Sequence, residues 1–251
     1  MNIAEAVVLG LVQGAGEFLP VSSSGHLLLL EKLGVGEEDL FFNICLHLGT
    51  LLSVLVCMRR ELLSLFGREG RKNLLLLALA CLPTVALALA FKYLAPALLN
   101  GAYLPLGFAV TAFLIVLSEK LSNDKNACLS VKNSLLTGVF QGIAVLPGIS
   151  RSGATVAALR LSGVPRSRAA ELSFLLSVPV IAGSALYEGT ELAVTGGLGE
   201  VAVLPLLCGM AAAFVAGCVA IHFFLSLVRT RSSLPFALYT AALAVVSFFI
   251  L

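Results

Sequence analysis

The chain has 251 residues, of which 59% are hydrophobic and 12% charged, with 16 Lys and Arg against 14 Asp and Glu. Average soluble domains are about 25% charged, so a soluble globule and a disordered chain are both excluded for want of polar surface. A net charge of +2, with no basic patch interleaved with aromatics, excludes a nucleic-acid partner.

Long unbroken apolar runs such as 74–90 argue against a β-barrel, whose strands alternate polar and apolar residues, and leave an all-α polytopic membrane protein. The start, Met1 to Ala6, lacks a basic n-region and a small-residue cleavage site and is expected to be mature sequence. Residues 3–12 and 25–33 are apolar but too short to span, and the polar stretch Gln13–Ser24 separates them. Segments near the roughly 20 residues that a span needs follow at 41–58, 74–94 and 102–118. Residues 134–146 and 154–163 then repeat the short-pair arrangement around Pro147–Gly153, and further spans follow at 170–188, 201–228 and 235–251. Half-length helices around a Gly/Ser/Pro-rich break read as re-entrant hairpins, which are tolerated only where protein or a water-filled cavity covers the broken backbone.

The two broken regions match at a constant offset of 128. Gly10, Gln13 and Gly14 lie over Gly138, Gln141 and Gly142, and Ser22, Ser24 and Gly25 over Ser150, Ser152 and Gly153. The chain therefore reads as a single integral membrane domain, 1–251, built from internal repeats of approximately 1–128 and 129–251. Each repeat holds one re-entrant helical hairpin and three of the six transmembrane helices. An odd number of spans makes the repeats inverted in topology.

Loop charges orient the whole. The loops 59–73, 119–133, 160–168 and that near 229 are basic, whereas 31–40 (Glu31, Glu37, Glu38, Asp39) and 188–200 are acidic. Basic loops belong in the cytoplasm, which puts both termini outside. The hairpins then enter from opposite faces, and their tips are expected to meet inside the membrane.

Those tips hold residues that hydrocarbon disfavours. The first carries Gln13, Glu17, Ser22, Ser23, Ser24, Gly25 and His26; the second carries Ser150, Arg151, Ser152, Gly153 and Thr155. A charged group at the bilayer centre costs at least about 2.5–3.5 kcal/mol, so Glu17 and Arg151 either form an ion pair between hairpins or bind something. Ser22–Ser24 and Ser150–Ser152 precede half-helices whose free N–H groups and positive dipole ends suit an anion. Arg151 between them suits phosphate, because its planar fork binds two oxygens at once. His26 reads as a general acid or base, or as a capping residue. His47, His222 and Glu171 read as packing, polar or interfacial residues. The six scattered cysteines, without metal-ligand spacing, read as reduced packing groups.

At these residues the chain resembles the bacitracin-resistance family of bacterial undecaprenyl-diphosphate phosphatases. The likeness rests on Gln13-x-x-x-Glu17-Phe-Leu-Pro-Val-Ser-Ser-Ser-Gly-His26 and on Pro147-Gly-Ile-Ser-Arg151-Ser-Gly-Ala-Thr155, with further similarity at 163–175 and 229–236. The resemblance implies hydrolysis of undecaprenyl diphosphate to the monophosphate and phosphate, which recycles the lipid carrier of cell-wall synthesis and confers bacitracin resistance. It implies Glu17, Ser23, His26 and Arg151 as catalytic residues, with Ser23 the suspected nucleophile. Ser22, Ser24, Gly25, Ser150, Ser152, Gly153 and Thr155 would bind substrate. A divalent cation, Mg²⁺ or Ca²⁺, would be held by Glu17 and Gln13, although Gln13 replaces a carboxylate that many members carry. The expected partners are a polyprenyl diphosphate and membrane lipid in the bacterial cytoplasmic (inner) membrane; a homodimer stays open. The rival class is a lipid transporter or flippase, since inverted repeats with broken helices also build transporters.

Overall fold

The computed structural model describes residues 1–36, 39–68, 70–123, 127–195 and 202–250. Glu37, Glu38, Glu69, Lys125 and Glu200, which contribute to the loop-charge pattern, lie outside the described residues. Within them the chain is helical throughout, with no strand: α1 (Ile3–Phe18), α2 (Ser23–Lys32), α3 (Leu40–Cys57), α4 (Arg59–Leu65), α5 (Arg71–Leu94), α6 (Leu104–Leu121), α7 (Val131–Ile143), α8 (Arg151–Leu161), α9 (Arg166–Thr195), α10 (Val203–Thr230) and α11 (Leu234–Ile250). Five of these (α3, α5, α6, α9 and α10) are long and apolar enough to cross a membrane, and α11 is a shorter apolar helix of 17 residues. The chain is a multi-pass membrane protein.

The first break is shorter than its polarity suggests. Helix α1 runs through Gln13 and Glu17 to Phe18, so only Leu19–Ser22 separate it from α2. The reason is local: Gln13 and Glu17 stand four residues apart on one helical face, where their side chains bond to each other at 3.0 Å.

Both short pairs start and stop alike. Asn2 caps α1 and Ser130 caps α7, each in a reciprocal box with the residue three further on, Glu5 or Asn133. Ser22 and Ser150 cap α2 and α8 by accepting from the N–H groups of Gly25 and Gly153. At their far ends Gly34 and Gly163 take φ of +83° and +87°, and Val35 and Val164 donate back to Leu30 and Leu159 carbonyls, the same left-handed stop twice.

Packing also alternates between the halves. Helix α1 lies along α10, and α7 lies along α5. Gly10 of α1 faces the Gly209 carbonyl and Gly138 of α7 faces the Ala80 carbonyl, each so closely that a Cβ would collide with the oxygen. Small residues four apart, Gly10 with Gly14 and Gly138 with Gly142, let backbones meet where lipid supplies no hydrophobic drive.

Helix α6 shows how the short pairs are disposed. The α2 end abuts the start of α6, where Leu28 touches the Gly101 turn, and the α8 end abuts its finish, where Arg160 Nη1 lies 3.0 Å from Glu119. The two turns meet beside the middle of α6. There Gly25 packs on Phe108, and the Ser150 N–H donates to Thr111 Oγ1, which donates to the Gly148 carbonyl.

Candidate active site

Glu17 closes the last turn of α1 and is 7% exposed. The next residue, Phe18, is fully buried edge-on against Phe174 of α9, ring centroids 5.3 Å apart, which anchors that turn to the longest helix. Four side chains converge on the carboxylate. Arg151 Nη2 donates to Oε1 at 2.5 Å; Ser23 Oγ donates to Oε2 at 2.9 Å and Gln13 Nε2 at 3.0 Å; His47 Nδ1 lies 3.7 Å from Oε2. Arg151 also donates Nη1 to the Ser173 carbonyl at 3.4 Å, so only two of its five N–H groups have partners among the described residues.

These groups open onto a cavity of about 220 Å³. Glu17, Ser22, Ser23, Ser24, His47 and Arg151 form its polar wall, and Val145, Ile149, Val180 and Ile181 its apolar one. Ser23 and Ser24 begin α2 at the cavity wall, so their N–H groups lack helical acceptors and the dipole end lies there. Ser22 adopts φ +69°, among the described residues the single non-glycine in the left-handed region, while its counterpart Ser150 is relaxed at φ −71°. Such a conformation costs on the order of 1–3 kcal/mol and persists where the surroundings impose it. Here it turns the chain so that Ser23 meets Glu17.

Of the residues singled out in the sequence, Glu17, Ser22, Ser23, Ser24 and Arg151 line the cavity. Gln13 lies behind Glu17, wholly buried. His26 turns away. Its Nδ1 donates to the Ser22 carbonyl at 2.7 Å, its Nε2 therefore accepts from the Tyr239 hydroxyl at 2.8 Å, and the ring stacks on Tyr239. The hydroxyls of the second tip are bound within the protein. Ser150 caps α8, Ser152 Oγ donates to the Leu19 carbonyl at 3.0 Å and so ties the tips together, and Thr155 pairs with Ser173 at 2.6 Å. Gly25 and Gly153 serve close approach: a Cβ on Gly25 would lie 2.6 Å from the Phe108 ring.

Four further polar residues reach the cavity: His47, Thr84, Gln141 and Ser184. Gln141 was signalled by its register with Gln13, and its Nε2 donates to Thr84 Oγ1 at 3.0 Å. His47 had no signal, because its sequence neighbours on α3 are apolar. His222 instead bonds to the Cys218 carbonyl, Glu171 pairs with Arg168 at 3.0 Å, and all six cysteines are free.

A cation has few protein donors here. Among the described residues no three His, Cys, Asp or Glu groups cluster in a metal-binding arrangement. The oxygens on offer include Glu17 and the Oε1 atoms of Gln13 and Gln141, both buried without a hydrogen-bond partner among the described residues. That set suits a hard cation completed by phosphate oxygens, as Mg²⁺ is usually held, rather than a closed cage.

Comparison with known proteins agrees with this geometry. Residues 6–246 match the family model described as bacitracin resistance protein BacA. Proteins named undecaprenyl-diphosphatase are similar over nearly the full chain. That of Carboxydothermus hydrogenoformans is 37% identical over 98% of this chain and 96% of its own. Those of Halothermothrix orenii and Christiangramia forsetii are 37% and 38% identical, over 95% of this chain and 94% of theirs. Such a match from end to end is decisive: the chain belongs to the BacA family of bacitracin resistance proteins.

Proposed function

We propose that this protein is an integral membrane phosphatase that hydrolyses undecaprenyl diphosphate to undecaprenyl phosphate and phosphate, as its relatives' names describe. The observation that carries the reading is the Glu17 carboxylate, shared between Ser23 and Arg151 at the wall of a cavity. Phosphoryl transfer asks for positioning and charge stabilisation more than for covalent strength, and this site supplies both.

The terminal phosphate enters against the two unpartnered N–H groups of α2 and competes for Arg151, which relieves Glu17 of its ion pair. Ser23 Oγ attacks the phosphorus and its proton passes to Glu17 Oε2. The bond from phosphorus to the bridging oxygen breaks, and undecaprenyl phosphate leaves with that electron pair. Water then attacks the phosphorus of the phosphoserine, the P–Oγ bond breaks, Glu17 returns its proton to Ser23 Oγ, and both protons of the water leave with the phosphate. A Mg²⁺ or Ca²⁺ held by Glu17, Gln13 and the diphosphate would neutralise charge on the phosphate oxygens. The apolar wall leads the polyprenyl chain out into lipid.

The disposition of the helices supports six transmembrane helices, α3, α5, α6, α9, α10 and α11, with α1–α2 and α7–α8 as re-entrant hairpins of an inverted repeat. The matched caps, the exchanged packing of α1 on α10 and α7 on α5, and the approach of the hairpins from opposite ends of α6 all favour that reading. Basic residues at the α3–α5, α6–α7 and α10–α11 connections favour a cytoplasmic-membrane protein with both termini outside.

The test is phosphate release from undecaprenyl diphosphate by protein purified in detergent, beside the Arg151→Ala variant. Release by the wild type and not by the variant is expected. No release by the wild type would leave a transporter instead.

A further inference from the structure

Three contacts, taken in turn, determine which ring nitrogen of His47 carries the proton. Arg151 lies 2.5 Å from Glu17 Oε1, a pairing only an ionised carboxylate makes, so Oε2 accepts hydrogen bonds and cannot donate. Gln13 Nε2, 3.0 Å from that oxygen, must therefore be the NH₂ of the amide. Its second hydrogen points to His47 Nδ1, also at 3.0 Å, which makes Nδ1 an acceptor. A neutral imidazole with an accepting Nδ1 carries its proton on Nε2. No described residue bonds to that Nε2, and His47 lines the cavity with its side chain 35% exposed.

We propose that His47 is a catalytic residue of this phosphatase, acting as a fixed neutral donor whose Nε2–H binds an oxygen of the phosphoryl group under attack. Ser23 Oγ and His47 Nδ1 stand 2.9 and 3.7 Å from the same oxygen, Glu17 Oε2. A phosphorus reached by Ser23 thus presents its oxygens to the far edge of the imidazole. Helix α3 supplies this donor from outside both hairpins, beside Glu17 Oε2 where Arg151 takes Oε1, so two different elements hold the phosphoryl group. Gln13 acquires a role of its own: bridging Glu17 and His47, it sets the tautomer that leaves Nε2–H free.

The proposal rests on the phosphatase reading, and three variants separate it from a merely structural histidine. Gln at position 47 places an amide N–H near the Nε2 position, whereas Asn can only reach back to Gln13. In purified, monodisperse protein of wild-type melting behaviour, His47→Gln is expected to keep kcat/KM within about tenfold of wild type. His47→Asn and His47→Ala are expected to lose about 10²-fold, the usual cost of one donor to the reacting oxygens. Asn equal to or better than Gln, or equal loss in all three, would overturn the proposal while wild-type phosphate release leaves the phosphatase reading intact. A wild type that releases no phosphate would instead remove that reading.

Discussion

Arg151 Nη2 lies 2.5 Å from Glu17 Oε1, so two residues 134 positions apart join the turns of two separate helix pairs. Both side chains are largely buried, at 13% and 7% exposure. Burying either alone would be costly, and removing one partner of such a pair typically costs about 3–5 kcal/mol. The pair therefore holds the hairpins together in the free protein while leaving Arg151 with donors to spare for an anion.

Arg151→Ala is expected to lower phosphate release at least about 10³-fold, the scale on which a transition-state arginine matters. Arg151→Lys keeps the charge without the planar fork and should fall between. Combining Arg151→Met with Glu17→Gln should recover the melting temperature lost in Arg151→Ala without recovering activity, since it removes the unpaired charge along with the chemistry. Assays of phosphate release and detergent melting curves check both.

Ser23→Ala separates nucleophile from bystander. If Ser23 Oγ attacks, the variant loses the full hydrolytic rate, and rapid quenching of the wild type with labelled diphosphate traps label on Ser23. Retained turnover in Ser23→Ala would show that water attacks directly, with Glu17 as its base.

Two glycines should respond in opposite directions. A side chain at Gly10 meets the Gly209 carbonyl of α10, so Gly10→Val should cost about 1–3 kcal/mol or more through overpacking. Gly183 in α9 has nothing within 4 Å of an added Cβ, so Gly183→Ala should stabilise by about 0.5–1 kcal/mol through helix propensity alone. Melting in a single detergent measures both.

Topology can be read with one native cysteine. Cys128 is exposed in the α6–α7 connection, whereas the others are buried or half-buried. In a variant keeping only Cys128, a membrane-impermeant maleimide should label lysed and not intact cells. Asn100→Cys in the same cysteine-free background, at the opposite end of α6, should label in intact cells. The reverse pattern would invert the orientation given by the basic loops.

Gln13→Glu restores a second carboxylate beside Glu17. The divalent-cation concentration giving half-maximal phosphate release should fall, because ligand charge raises the affinity for a hard cation. An unchanged requirement would place the cation away from Gln13.

Much of this architecture was legible in one dimension. Lipid is a uniform solvent, so apolar run length marks the long apolar helices, and a Pro/Gly/Ser break in a half-length run marks the turn between two short ones. Helix ends are equally local: Asn2, Ser22, Ser130 and Ser150 cap because the acceptor and the orphan N–H lie within three residues. Glu17 and Arg151 stood out since a carboxylate and a guanidinium in apolar surroundings need a reason.

Which polar residues share a space was settled by packing alone. Ser22–Ser24 face the cavity, while Ser150 and Ser152, their counterparts in sequence, and Thr155 beyond them bond inward to the Gly153 N–H, Leu19 and Ser173. Near-identical motifs therefore make different contacts, because at the offset of 128 Val145 stands over Glu17, and Arg151 over Ser23. His26 looked reactive beside the serines and turned to Tyr239; His47 looked inert among leucines and reached Glu17. The sequence by itself determined the long apolar helices, the breaks and the two charges, since these depend on neighbours in the chain and on the surrounding lipid. Only the tertiary structure decided which side chains meet. Contacts such as His47 to Gln13 depend on how closely whole helices approach, and no spacing along the chain encodes that distance.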